Sequence, residues 1–208
     1  MTVIKSTSYD QSEILKSIMT LCKIERFCVD ATYGNGEFYK TIPRPVRCFD
    51  LDGDLKGVEQ ASSDSLPLET ASIKSLVFDP PFLTYVRAAR EGNGNMVMAK
   101  RFAGYWRYDE LEKHYRETLQ ESARILEYKG VMIFKCQDII HNHKMHCTHA
   151  NVINWASDHF RLKDLFVLAA KNRMPSPNRA GAQKHARIFH SYFLVLERNK
   201  TNWMRGLK

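Results

Sequence analysis

No apolar run in this chain approaches the roughly 20 residues needed to cross a bilayer, so nothing in it reads as a membrane span. The opening MTVIKSTSYDQ also lacks the apolar stretch of a signal peptide, which leads to the expectation of a cytoplasmic protein with no membrane partner. Cysteine is too sparse and too scattered for a disulfide framework. Cys22, Cys28, Cys48, Cys136 and Cys147 are odd in number and mostly inside apolar segments, which suits reduced thiols. There is no internal repeat, no low-complexity tract and no linker. Apolar residues at 44% and charged residues at 26% of 208 exclude wholesale disorder and fit one domain over 1–208 with a real core.

Acidic residues are nearly missing from one region. Residues 1–160 carry 20 Lys/Arg against 21 Asp/Glu, whereas 161–208 carry 11 against 2. The net charge of +8 therefore sits in the C-terminal quarter. Local positive excess of this kind favours a polyanionic partner, most simply nucleic acid. A solvated basic face without a partner is the plain alternative.

What is present is an alternation of short apolar runs and amphipathic stretches. Strands are expected at 26–31, 46–50, 75–79, 130–136, 164–170 and 188–197, with a short one over 57–61. A helix is expected over 10–22, another over 149–160, and the longest over 109–128. In the last, Asp109 and Glu112 form a candidate capping box, Leu111, Tyr115, Leu119, Ala123 and Leu126 share a face, and Lys129-Gly130 is the stop signal. Strands alternating with helices imply a parallel α/β sheet. The final two strands lack a helix between them and read as an antiparallel pair closing that sheet.

Three acidic positions fall where strands end, and a fourth lies in a loop between them. The first strand runs into VDATYGNGEFY (29–39), so Asp30 is followed by Gly34 and Gly36, which let backbone approach a ligand. The third glycine of the dinucleotide fingerprint is absent, because position 39 is Tyr39, and this disfavours a dinucleotide oxidoreductase. The second strand ends in CFDLDG (48–53), where Asp50, with Asp52 in reserve, is placed to accept from ribose hydroxyls. Asp64 precedes Leu66-Pro67 in a loop, either as a turn residue or facing an adenine amine. Then SLVF leads into DPPF, Asp79 to Phe82. Two prolines lock φ, remove two backbone donors and bar helix at the residue before them.

In this order, Asp-x-x-x-Gly-x-Gly, a strand-end acid, Asp-x-Leu-Pro and, 43 residues after Gly36, Asp-Pro-Pro-Phe, the chain resembles the S-adenosylmethionine-dependent amino-methyltransferases of nucleic acids. Their catalytic tetrapeptide is [DNS]-P-P-[YFW]. The resemblance covers nearly the whole chain and most resembles the small stand-alone enzymes of bacteria and phages. It implies a Rossmann-like class I methyltransferase fold: a seven-stranded, mostly parallel sheet with an antiparallel last strand and helices on both faces. It implies S-adenosylmethionine as cofactor, S-adenosylhomocysteine as product and no metal. Asp79, Pro80, Pro81 and Phe82 would be catalytic. Asp30, Ala31, Tyr33, Gly34, Gly36, Asp50, Leu51, Asp64, Ser65 and Asp79 would line the cofactor. Asp at the first motif position goes more often with adenine N6 than with cytosine N4, and DNA is the favoured substrate. An RNA base amino-methyltransferase is the first alternative, and a noncatalytic nucleic-acid-binding module the second.

Two basic loops are candidates for the polynucleotide. The first, 83–107, carries Arg87, Arg90, Lys100 and Arg101 beside Tyr105 and Trp106; the second, 172–187, carries Arg173, Arg179 and Lys184. Basic side chains with interleaved aromatics suit phosphate contact and base stacking. The stretch KCQDIIHNHKMHCTH (135–149) holds four histidines and two cysteines, yet its spacing matches no closed zinc pattern. The resemblance implies a polar cluster facing the active site after the fifth strand, in which Lys135, Gln137 and Asp138 would touch the target base or backbone; a hydrogen-bonded strand end is the plain alternative.

Overall fold

The computed structural model describes residues 3–82, 84, 105, 107–171 and 184–200. Its centre is an eight-stranded sheet. The strands are β1 (Thr7–Ser8), β2 (Val29–Asp30), β3 (Arg47–Asp50), β4 (Glu59–Gln60), β5 (Ile73–Phe78), β6 (Leu126–Cys136), β9 (Phe160–Ala169) and β10 (His190–Arg198). A separate hairpin pairs β7 (Ile139–His141) with β8 (Lys144–His146). The order across the sheet is β1-β9-β10-β6-β5-β2-β3-β4, and β10 runs antiparallel to both β6 and β9 while the other pairs are parallel. The expected seven strands with an antiparallel last one are therefore present. The correction is the two-residue β1, too short to leave a period-2 signal.

Alternation along the central strands builds two cores. Leu76 and Phe78, Met132 and Phe134, and Leu194 and Leu196 face one side. Val77, Ile133, Phe193 and Val195 face the other. The first side is covered by α2 (Tyr108–Ile125), through Leu111, Tyr115 and Leu119, and by α3 (Thr148–Ala156), through Val152 and Ala156. The second is covered by α1 (Gln11–Cys22), through Ile14, Leu15 and Ile18. Each set recurs at helical spacing, which is why these segments fold as helices against a sheet.

Helix ends depart from expectation in instructive ways. The Asp10 carboxylate accepts from Ser12 N–H at 2.8 Å and caps α1. For α2 the entry residue is Arg107, whose N–H donates to Glu110 at 3.3 Å, not the Asp109/Glu112 pair. The helix also ends at Ile125, not 128, because Leu126 turns extended and pairs with Ile73. Lys129 then adopts a left-handed φ of 66° within the irregular entry to β6. The Lys129-Gly130 signal thus marks a turn inside the strand entry. All five cysteines are free thiols, and no helix among the described residues is long and apolar enough to cross a membrane.

Candidate active site

Parallel strands deliver their carboxyl ends to one edge, and the acids meet there. Asp30 closes β2 and Asp50 closes β3, while Asp79 directly follows β5. Thr32 ties two of these ends together: its N–H donates to Asp30 Oδ1 at 2.7 Å, and its hydroxyl accepts from Asp79 N–H at 2.8 Å. Ala31, buried, bonds to Val77 O at 3.0 Å. The turn after β2 is shaped by Asp50, whose Oδ2 accepts from Gly34 N–H at 2.8 Å and whose Oδ1 accepts from Asp52 N–H at 3.0 Å. Gly34 has φ 53° with open space where a Cβ would stand. At Gly36, φ 71°, a Cβ would lie 2.5 Å from the Tyr33 hydroxyl. Both φ values disfavour a side chain, and at Gly36 an added Cβ would also force the Tyr33 ring to shift.

Tyr33 stacks on Tyr39 at 5.5 Å, and the Tyr39 hydroxyl donates to Asp30 Oδ2. Burial pushes the Asp30 carboxyl up to about 7, against the pull of the Tyr39 hydroxyl and the Thr32 amide. No motif marks Tyr39 in the sequence beyond the break it makes in the glycine pattern, yet its hydroxyl bonds the first strand-end acid. Leu51 is exposed at the rim. Asp64 and Ser65 lie in the tight loop bridged by Ser62 and Ser65. That loop is fastened to α2: Ser63 Oγ lies 2.7 Å from His114 Nε2, and Leu66 N–H donates to Glu121 at 2.9 Å. Burial holds the His114 imidazole below its ordinary range, and the Tyr105 hydroxyl meets its other ring nitrogen.

DPPF is a supported kink. The Tyr115 hydroxyl donates to Pro81 O at 3.2 Å, which fixes the second proline from below. Pro80 is buried, and Pro81 and Phe82 are partly exposed. Burial raises the Asp79 carboxyl and Lys135 opposes that rise. The Lys135 ammonium lies 3.1 Å from Asp79 Oδ2 and 3.0 Å from Gln11 Oε1, and it sits over the rings of Phe38 and Phe193. Lys135 is only 9% exposed, so the structure places it inside the edge, not on an outer face. This pairing was not legible from spacing alone.

The histidine stretch resolves into packing and hydrogen bonds. His146 stacks on Tyr108 at 3.7 Å. Asp138 meets His149 Nδ1 at 2.7 Å and accepts from the Tyr192 hydroxyl at 3.3 Å, while Gln137 donates to His190 O. Among the described residues no group of three His, Cys, Asp or Glu could hold a metal. Arg87, Arg90, Lys100, Arg101, Arg173 and Arg179 lie outside the described residues, as do Trp106 and most of both basic loops; Lys184 lies within them.

No protein-family model and no curated protein matches the sequence. Solved structures do share the fold. A candidate sarcosine dimethylglycine methyltransferase from Galdieria sulphuraria superposes with a TM-score of 0.54 at 12% identity, over 90% of this chain and 85% of that one. A chain from the complex between the Haloferax volcanii Trm112 methyltransferase activator and a candidate methyltransferase gives 0.51 at 16% identity, over 93% and 90%. A candidate DNA modification methylase from Thermus thermophilus gives 0.41 at 14% identity over 65% of this chain, which spans about half (48%) of it. At these identities the first two likenesses show a shared fold alone: α/β, with a large, mostly parallel sheet.

Proposed function

We propose that the chain transfers a methyl group from S-adenosylmethionine to the exocyclic amine of a base in DNA, adenine N6 in the first instance. The observation that carries this reading is the link from Asp30 through Thr32 to Asp79, which joins a glycine-turn nucleotide edge directly to DPPF. The residues present fit the cofactor: the left-handed Gly34 opens onto free space, and Asp30 and Asp50 give acceptors on the same edge. When bound, it supplies an electrophilic methyl group and leaves as S-adenosylhomocysteine.

The protein's part is positioning. An exocyclic amine is a poor nucleophile because its lone pair is delocalised into the ring. Asp79 and the Pro80 carbonyl accept its two N–H groups and hold the nitrogen pyramidal, with the lone pair aimed for in-line attack. Proline at 80 and 81 supplies carbonyls without competing N–H donors. Phe82 stacks on the base, which is flipped from a duplex or taken from a single strand. The amine loses a proton to water once the N–C bond has formed, so no strong base is needed.

The basic excess of residues 161–208 supports a polyanionic substrate. Arg87, Arg90, Lys100, Arg101, Arg173, Arg179 and Lys184 are assigned to phosphate. The test uses methyl-labelled S-adenosylmethionine with duplex DNA, single-stranded DNA and RNA in parallel, followed by digestion to nucleosides. The expected product is N6-methyldeoxyadenosine. Label in RNA alone moves the substrate to RNA; label in no nucleoside overturns the reading.

A further inference from the structure

The geometry points to Lys135 as a positioning residue of the amine pocket: it occupies Oδ2 of Asp79, and so presents an ionised Oδ1 as an acceptor for an N–H donor. This rests on the methyl-transfer reading for its purpose, though not for its contacts. The placement follows from register. Val77 pairs with Ile133 across β5 and β6, both on the α1 side of the sheet. Two residues further on, the same alternation sets Asp79 opposite Lys135 on that side.

Four segments converge on the ammonium. Asp79 takes one hydrogen bond at 3.1 Å, and Gln11, at the start of α1, takes another at 3.0 Å. Phe38, just after the glycine turn, and Phe193 of β10 offer ring faces at 4.8 and 5.5 Å. A buried ammonium with a single carboxylate neighbour keeps that neighbour charged, since removing either charge strands the other. Among the described residues, the titratable groups that feel Asp79 are Lys135 from β6, Asp30 from the end of β2, Tyr39 beyond the glycine turn and Tyr115 from α2. Lys135 is the one cation among them.

The consequence is selectivity for a donor. A carboxylate is acceptor-only, whereas a protonated acid presents an O–H and repels an amine hydrogen. Without Lys135, burial draws Asp79 toward the neutral acid. Activity needs the deprotonated form, so it falls as pH drops through the Asp79 pKa. Raising that pKa moves the fall to higher pH.

The test compares wild type, Lys135→Met and Lys135→Arg. Carbonyl-labelled aspartate is followed by NMR, with the Asp79 signal assigned by its loss in Asp79→Asn. In Lys135→Met the Asp79 midpoint is expected to rise by about one pH unit or more. The acid limb of kcat/KM should rise with it, with cofactor Kd unmoved, and Lys135→Arg should restore both. A static midpoint, or a uniform loss of kcat with no movement along pH, overturns the proposal. If Lys135→Met fails to fold, Gln11→Ala serves instead: lowered kcat at unchanged cofactor Kd is expected, and unchanged kcat overturns it. Wild type inactive on every nucleic acid would overturn the functional reading and the amine assignment together. A static midpoint in an active enzyme removes Lys135's part alone.

Discussion

The two halves of the sheet are built differently. On one side of β5, strands β2, β3 and β4 have two, four and two residues. On the other, β6, β9 and β10 have eleven, ten and nine, with the two-residue β1 beyond them at the edge. The short half carries Asp30, Asp50 and the glycine turn, and its shape comes from side chain to backbone bonds: Thr32 to Asp30, Gly34 to Asp50, Asp79 to Thr32. The long half carries ladders, with Phe193, Leu194, Val195 and Leu196 of β10 all buried between β6 and β9. Continuous pairing fixes the fold in one half, and in the other short strands end in acids held by side chain to backbone bonds. The regions should therefore fail separately, one by unfolding and the other by losing chemistry.

The largest effect expected is on the long half. Phe193→Ala deletes a fully buried ring shared by α1, β6 and β10 and should lower unfolding free energy by about 3–5 kcal/mol in denaturant titration. A loss under about 1 kcal/mol would break the distinction. Next comes Asp79→Asn, which keeps an oxygen for Lys135 but turns an N–H donor toward the amine. It should cut kcat by about 10²–10³ at an unchanged cofactor Kd.

Asp30 sharpens the contrast through pH. Its carboxyl lies at about 7 in the fold, so the folded state binds the proton more tightly than the unfolded chain, whose carboxyl titrates near 4. The stability this gives is complete below about pH 4 and is lost as pH rises toward 7 and beyond. Between pH 5 and pH 7 wild type should lose about 2 kcal/mol that Asp30→Asn does not lose. Parallel melting curves at the two pH values decide it; equal slopes would contradict the assignment. The smallest effect is at Asp50. Asp50→Ala frees the Gly34 amide and should weaken S-adenosylmethionine binding about tenfold by calorimetry. No change would move the ribose contact to Asp52.

How much of this could be read from the chain differs between the halves as well. The strand runs and the order of glycines and acids place β2, β3 and β5 and their ends, because those features are local in sequence. Boundaries were less legible. The chain leaves α2 at Ile125 because Leu126 gains a ladder partner in Ile73, an interaction 53 residues away and invisible to periodicity. The same holds for the site. Asp79 is evident from DPPF, whereas Lys135 resembles a basic residue ready for phosphate until the register of β5 on β6 is known. Tyr39 and Gln11 carry no motif at all, and only folding brings them against Asp30 and Lys135.

The most direct measurement is transfer of labelled methyl from S-adenosylmethionine to DNA by wild type and by Asp79→Asn, with cofactor binding followed in both and the labelled nucleoside identified. The account predicts N6-methyldeoxyadenosine from wild type, and label lowered at least a hundredfold in the variant at an unchanged cofactor Kd. Equal labelling by the two proteins, or label that never enters a base, would contradict it.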